Sequence, residues 1–394
     1  MHKIVQVTPW YPPGYKFGGP AMTAAILAEG LNQYGFQVIT VTSDRNGDGY
    51  MQVPRWVREA NGNEVIYYPT SPWRFFYSGS LTSTLETCLP GAAASIINCG
   101  SWNYFFLRGC RTSRRFRIPY VVYPRGNFDP WALSHKKWRK KVWWRLFDWN
   151  NYQQAAAVVA LTPTEASQVR SMGVTTRIKV IPNGVSPEDF HPALNRAEIE
   201  DLFPPLQGKR WLLFLARLHQ KKGLDLLLSA MSRIRNDHPN MVLVIAGADE
   251  GGYSQTIHRL VQELNLRENV YQVGMVTCAL KNGLLKNSEL FALTSYSEGM
   301  PMGVLEAMAC GLPVLVNPEC NIPEIAAYQA GVIVEKEVNA VAVGLKLLLN
   351  NNDQRAEMKI NARRLIEEKF TRNRILEETS KLIEEIAPKK KNLP

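Results

Sequence analysis

The sequence predicts an α/β protein with two doubly wound parallel sheets in tandem, and three observations carry that prediction. Short apolar runs alternate with helix-length segments from one end of the chain to the other, as parallel strands joined by crossover helices require. The alternation breaks at IPNGVSPEDFHP, residues 181–192, where three prolines, a glycine and turn-forming Asn and Ser intervene. A length of 394 residues suits two domains of roughly 100–200 residues each.

In the first half the expected strands are KIVQVTP, QVITVTS, EVIYYP, SIINCG, YVVYP and AAVVALT, each followed by polar or Gly-rich residues. In the second half WLLFLAR, MVLVIAG, VYQVG, LFALTSY, PVLVN and GVIVE repeat the design. Helical stretches such as GLDLLLSAMSRIRN and VAVGLKLLLNN separate them. The expected domains are residues 1–182 and 183–371. Residues 352–387 read as two consecutive amphipathic helices with no strand after them, so the last, within 372–394, is available to pack on another surface. The closing KKKNLP reads as solvated charge.

Hydrophobic residues at 45% and charged residues at 21% are a globular composition. A net charge of +11 calls for an anionic partner without choosing among nucleotide, nucleic acid and acidic lipid. The six cysteines form no CxxC pair and share no metal-ligand spacing with the six histidines, so they read as reduced, small hydrophobes. The first residues lead straight into a strand without the apolar region of a signal peptide, and no apolar run approaches the roughly 18–20 residues of a membrane span. The expectation is a cytoplasmic protein, soluble or peripheral.

The candidate site is SEGMPMGVLEAMACGLPV, Ser297 to Val314, which sets Glu298 and Glu306 into a nearly uncharged stretch. If LFALTSY is a strand, Glu298 lies in the loop at its carboxyl end and Glu306 about two turns into the next helix. Open α/β sheets bind ligands at that edge, near helix amino termini. Gly299 allows close backbone approach and Pro301 suits a helix start. An acid at a helix start can equally be a charge against the dipole, and an interior Glu can simply pair with a Lys or Arg.

EGMPMGVLEAMACGLPV resembles the E-x7-E signature of the retaining glycosyltransferases of family 4. IPNGV at 181–185 with Phe190, FLARLHQKKGLDLLL at 214–228, VIAGADEGG and YQVGMV are similar to that family's other second-domain motifs, in the same order. The first half matches more loosely, through the Gly18–Gly19 loop. The resemblance implies the α/β GT-B fold of two facing Rossmann-like domains with parallel sheets and a C-terminal helix crossing back to the first. It further implies that Glu298 contacts hydroxyls of a donor sugar, that Glu306 accepts hydrogen bonds from the ribose, and that the backbone of Gly299, Met300 and Met302 completes the pocket. Pro301, Met275, Val276 and, across from them, Gly18 and Gly19 join the donor-binding set.

A departing nucleoside diphosphate needs either a metal held by acids or fixed cations. The chain has no D-x-D pair and no His cluster, so Arg217 and Lys222 take that part, with no metal and no cofactor expected. Near the transferred sugar the family often places a histidine where this chain has YPRGNFDPW, residues 123–131. Arg125, Asn127 and Asp129 are the candidates there, with Arg125 favoured, while His135 reads as a surface residue. The retaining chemistry of the family implies front-face exchange or a short-lived ion pair, with the departing phosphate helping to deprotonate the acceptor, and the front-face route is the simpler.

The resemblance makes the partners a nucleotide-sugar donor, UDP-linked on family frequency, and a saccharide or lipid-linked saccharide acceptor. HKKWRKKVWWRLFDW, residues 135–149, suits an anionic membrane surface, or a helix packing its tryptophans into the first domain. SPWRFFYSGS, residues 71–80, is a second aromatic loop, a candidate wall for the acceptor. The rival readings are a UDP-sugar epimerase of the same architecture and a non-catalytic, membrane-associated binding subunit. No nucleic-acid motif supports a nucleic-acid partner.

Overall fold

The computed structural model describes residues 2–71, 76–134, 137–276 and 278–388. His135, part of the 71–80 loop and the closing residues 389–394 therefore lie outside the described residues. The chain divides into two compact units: one runs to Asn183 and resumes at Asn373, the other is Gly184–Arg372.

The first unit contains β1 (His2–Val7), β2 (Phe36–Ser43), β3 (Arg45–Asn46), β4 (Gly49–Tyr50), β5 (Trp56–Arg58), β6 (Glu64–Tyr68), β7 (Ala94–Ile97), β8 (Tyr120–Val122), β9 (Ala157–Ala160) and β10 (Ile178–Val180). Eight of these form one sheet in the order β10-β9-β8-β7-β1-β2-β6-β5. Pairing is parallel except for β5 against β6, and β3 with β4 forms a separate antiparallel pair. Side chains alternate between two cores. Val5, Val7, Val41 and Ile97 face one cluster, and Ile4, Val38, Ile96 and Val121 the other. Both faces are covered, which is why the strands read as continuous apolar runs. The closing helix Arg372–Ile386 belongs to this unit, and its Leu376, Leu382 and Ile383 enter the core beside Ile4.

The second unit contains β11 (Arg210–Leu215), β12 (Met241–Ala246), β13 (Val270–Gly274), β14 (Leu290–Leu293), β15 (Val314–Val316) and β16 (Gly331–Ile333). They form one parallel sheet in the order β13-β12-β11-β14-β15-β16. The chain winds outward from β11 through β12 and β13, then crosses to the other side of β11 at β14. In the first unit the same reversal falls between β1 and β7. Loops diverge at such a switch and leave a crevice at the carboxyl ends of the strands.

All twelve expected strands are present. The sequence pattern missed β5, β10 and the β3–β4 pair, which are short, at sheet edges or outside the main sheets, and none of which contains a fully buried residue. Among the described residues no helix is long and apolar enough to cross a membrane.

Candidate active site

The switch between β11 and β14 gathers the charged residues of the second unit. After β11 the chain passes Arg217, turns through the short helix Gln220–Lys222, and enters the helix Leu224–Ile234 at Gly223. Gly223 has φ of 63°, and a Cβ there would lie 1.9 Å from the Thr294 carbonyl oxygen, so no other residue fits. The Thr294 hydroxyl donates to the Gly223 carbonyl at 2.7 Å, and the Tyr296 N–H donates to the Lys221 carbonyl at 2.8 Å. These bonds stitch the loop after β11 to the loop after β14.

The result sets the Lys222 ammonium 2.6 Å from a Glu298 carboxylate oxygen, which also accepts from the Ser295 hydroxyl at 2.7 Å. Glu298 is only 7% exposed. Burial alone would push its carboxyl up; the ammonium groups of Lys222 and Lys221, with the hydrogen bonds from Lys222 and Ser295, outweigh burial and hold it below its ordinary value. Two amides fix the loop: Asn317 Nδ2 donates to the Ser295 carbonyl and Asn321 Nδ2 to the Glu298 carbonyl, each at 2.7 Å. The buried Ser297 hydroxyl has no hydrogen-bond partner among the described residues.

Gly299, the buried Met300 and Pro301 lead into the helix Met302–Ala309, whose amino terminus carries no side-chain cap. Gly303 seats that terminus on the end of β11, since a Cβ there would lie 2.7 Å from the Leu215 carbonyl. Glu306, in the second turn, accepts from Lys281 at 2.8 Å, and the same ammonium lies 5.8 Å over the Phe190 ring. Met275 and Val276 follow β13, with Met275 exposed. Arg217 pairs with Glu250 at 2.5 Å. The His219 pKa is lowered by burial, with Glu250 opposing and the cations Arg217, Lys221 and Lys222 lowering it further. The ring is therefore neutral at pH 7. Among the described residues no group of three or more His, Cys, Asp or Glu is placed to hold a metal ion.

Both glutamates have protein partners, as the alternative of pairing with a Lys or Arg allowed. In the free protein Lys222 and Ser295 already satisfy Glu298, and Lys281 already pairs with Glu306. Lys281, Glu250, Ser295 and the two anchoring asparagines were not identified from the sequence. Their only signal there was polarity, in loops after apolar strands for Glu250, Ser295 and the asparagines and within the helix Cys278–Asn287 for Lys281.

In the first unit Gly18, with φ of 66°, links the turn Tyr15–Phe17 to the helix Gly19–Gln33, of which Gly19 is the first residue. Arg125 follows β8 with φ of 57°. Its guanidinium donates to Asn98 at 2.7 Å and Asn183 at 3.1 Å and lies 5.0 Å over the Tyr123 ring. It thus ties the β7 edge to the residue where the chain leaves the unit. Asn127 donates to the Ser101 carbonyl at 3.2 Å, tying its loop to the one after β7, and Asp129 accepts the Trp131 N–H at 2.9 Å within its own loop.

Comparison with known proteins agrees with this fold. The family model described as Glycosyltransferase Family 4 matches residues 17–189, and that described as Glycosyl transferases group 1 matches 196–365. An uncharacterised glycosyltransferase of Methanocaldococcus jannaschii is 27% identical over 96% of each chain. A human phosphatidylinositol N-acetylglucosaminyltransferase chain is 24% identical over 98% of this chain and 76% of its own. Among solved structures, Anabaena HepE in complex with UDP-glucose superposes with a TM-score of 0.78 over 98% of this chain and 100% of its own, at 17% identity.

Proposed function

Since the chain belongs to the family 4, group 1 glycosyltransferases and has their GT-B fold, we propose that it moves a sugar from a UDP-sugar to a hydroxyl of a saccharide or lipid-linked saccharide, with retention of configuration and without a metal. The observation that carries this reading is the Lys222–Glu298 pair at the switch between β11 and β14, with Arg217, paired to Glu250, in the same loop after β11 as Lys222. Lys222 and Arg217 receive the departing diphosphate, Glu298 holds donor-sugar hydroxyls, and Glu306 takes the ribose. The backbone of Gly299, Met300 and Met302 lines the sugar and phosphate pocket beside Pro301, and Met275 and Val276 meet the base.

Arg217 must exchange Glu250 for phosphate when the donor arrives, and Lys222 must share itself between Glu298 and the diphosphate. A charge pair ~4 Å apart is worth about 4 kcal/mol at an effective dielectric near 20, so either cation accounts for on the order of a hundredfold or more in rate. Front-face exchange follows, the leaving phosphate oxygen accepting the acceptor's proton as the new bond forms. Arg125, bound to Asn98 and Asn183, acts by shaping the first unit's edge rather than by contacting the anomeric carbon.

The UDP donor is supported by the UDP-glucose bound to HepE, and the lipid-linked acceptor by the phosphatidylinositol in the human relative's name. Work on such an acceptor calls for a peripheral position on the inner face of a membrane. A thermal-shift screen of nucleoside diphosphates tests the donor: UDP raises the melting temperature of the wild type and does so less in Arg217→Ala. Turnover that stops on addition of a chelator would overturn the metal-free reading.

A further inference from the structure

Much of the positive charge sits on two neighbouring segments of the first unit. The helix Tyr104–Arg115 carries Arg108, Arg111, Arg114 and Arg115 and no acid. The helix Lys137–Trp143 and the π-helical turn Trp144–Asp148 carry Lys137, Arg139, Lys140, Lys141 and Arg145 against one acid, the buried Asp148. The segments touch where the Arg111 guanidinium lies 5.8 Å over the Phe147 ring.

The aromatic residues of the second segment divide between two faces. Trp144 is buried, its ring 5.0 Å from Phe128 and 5.2 Å from Tyr152, and the Trp143 indole donates to Asp148 at 3.1 Å. On the opposite face Trp138, Val142, Leu146 and Trp149, spaced four, four and three residues apart, fall in one line along the helix. They are 68%, 49%, 65% and 37% exposed. Arg139 stacks 5.3 Å over Trp138, and Lys141 and Arg145 are exposed beside the line. A lone exposed apolar residue needs no explanation, but four in register, rimmed by cations, mark a surface that is covered in use.

We propose that this line of side chains docks the protein on an anionic lipid bilayer. Trp138, Val142, Leu146 and Trp149 enter at headgroup depth, while Arg139, Lys141, Arg145 and the adjoining Arg111 rest against lipid phosphates. A second copy of the chain is a poor occupant, because a two-fold contact through this face would set like charges against each other. A nucleic acid would engage the cations and indoles but give Val142 and Leu146, at the centre of the line, nothing to bury them. Docking deepens the lipid-linked acceptor reading and rests on it for its purpose alone, since surface binding can be read without any transfer.

The test is flotation of the full chain with phosphatidylcholine vesicles, with and without phosphatidylglycerol, at low salt. Wild type floats with the phosphatidylglycerol vesicles and not with phosphatidylcholine alone. Each cation near an anionic surface contributes about fivefold, so Lys141→Glu with Arg145→Glu weakens binding by at least ~25-fold. Trp138→Ser with Leu146→Ser weakens it by at least about tenfold. Both variants keep the wild-type thermal shift with UDP, which shows that fold and donor site are intact. If the wild type shows no UDP shift yet floats as described, docking stands and the donor reading fails. Equal flotation of variants and wild type overturns docking, as does absence of wild-type binding to phosphatidylglycerol vesicles. So does a dimer abolished by the Trp138 and Leu146 changes, or a single-stranded oligonucleotide that binds this face where vesicles do not.

Discussion

Asp148 in the first unit and Glu298 in the second are both buried carboxylates, yet burial ends differently for each. Asp148 accepts from neutral donors, the Trp102 N–H at 2.9 Å and the Trp143 indole at 3.1 Å. Burial pushes its pKa up to about 7, against the partial relief of those two bonds and the charge of Arg111. Glu298 suffers the same desolvation, but Lys222 touches it and Lys221 lies near, and its pKa falls below the ordinary value. A cation in contact therefore decides whether a buried acid stays charged. The first unit keeps an acid that titrates near neutrality inside a structural turn, and the second keeps an ionised one at the carboxyl end of a strand.

The largest effect expected from breaking this contrast is at Lys222. Lys222→Ala leaves Glu298 as a buried charge without its contact cation, which costs about 3–5 kcal/mol of stability in the second unit as well as a hundredfold or more in turnover. Adding Glu298→Gln should recover most of the stability, read by calorimetry, and none of the activity. Unchanged stability in Lys222→Ala would mean that the pair does not govern Glu298. This departs from an expectation based on phosphate contact alone, under which the fold would be indifferent.

Asp148 comes next. Its unfolded value is 3.8, so between about pH 4 and 7 the folded chain holds a proton that the unfolded chain has released. The stability of the neutral form is complete below 3.8, declines as pH rises, and levels off above about 7. A shift of ~3 units corresponds to about 4 kcal/mol. Asp148→Asn loses the ionisation, and its Nδ2 meets one of the two donors that the carboxyl oxygens accept, so its melting temperature should lie below that of wild type near pH 4 and gain on it by several degrees by pH 8. A constant difference across that range would contradict the assignment.

Smaller effects sharpen the contrast within the second unit. Lys281 and Glu306 are partly exposed, at 26% and 19%, so Lys281→Ala should raise the donor KM by about fivefold, with kcat little changed and Lys281→Arg restoring it. Glu250 and Arg217 are more open still, and such surface pairs are worth at most about 1 kcal/mol. Glu250→Gln frees Arg217 for phosphate and should lower the donor KM by about two- to fivefold. A raised KM would instead make Glu250 a donor contact.

How far the sequence revealed this depended on whether the signal was local. The buried strands were legible because both faces of each sheet are covered, and β5 and β10 were not because an edge strand needs no apolar run. Glu298 and Glu306 stood out through spacing, and Arg217 and Lys222 through the resemblance of FLARLHQKKGLDLLL to a family motif. Their protein partners did not: Lys281 precedes Glu306 by 25 residues and Glu250 follows Arg217 by 33, and only the sheet order brings them together. The division of the tryptophans between two faces was readable in principle from the helical period of residues 138–149. Residue counts alone left membrane and core packing open; the structure assigns Trp144 to the core and exposes Trp138.

The closing helix carries a consequence for synthesis. Leu376, Leu382 and Ile383 cover a face of the first sheet whose last strand, β10, ends at Val180. Roughly 200 residues must leave the ribosome between the two, about 10–40 s at 5–20 residues per second. The later-made unit can finish folding first, while the earlier one waits with that face covered only in part, by the helix Gly19–Gln33. The nascent chain is thus most open to chaperones, and to misassembly, during this interval.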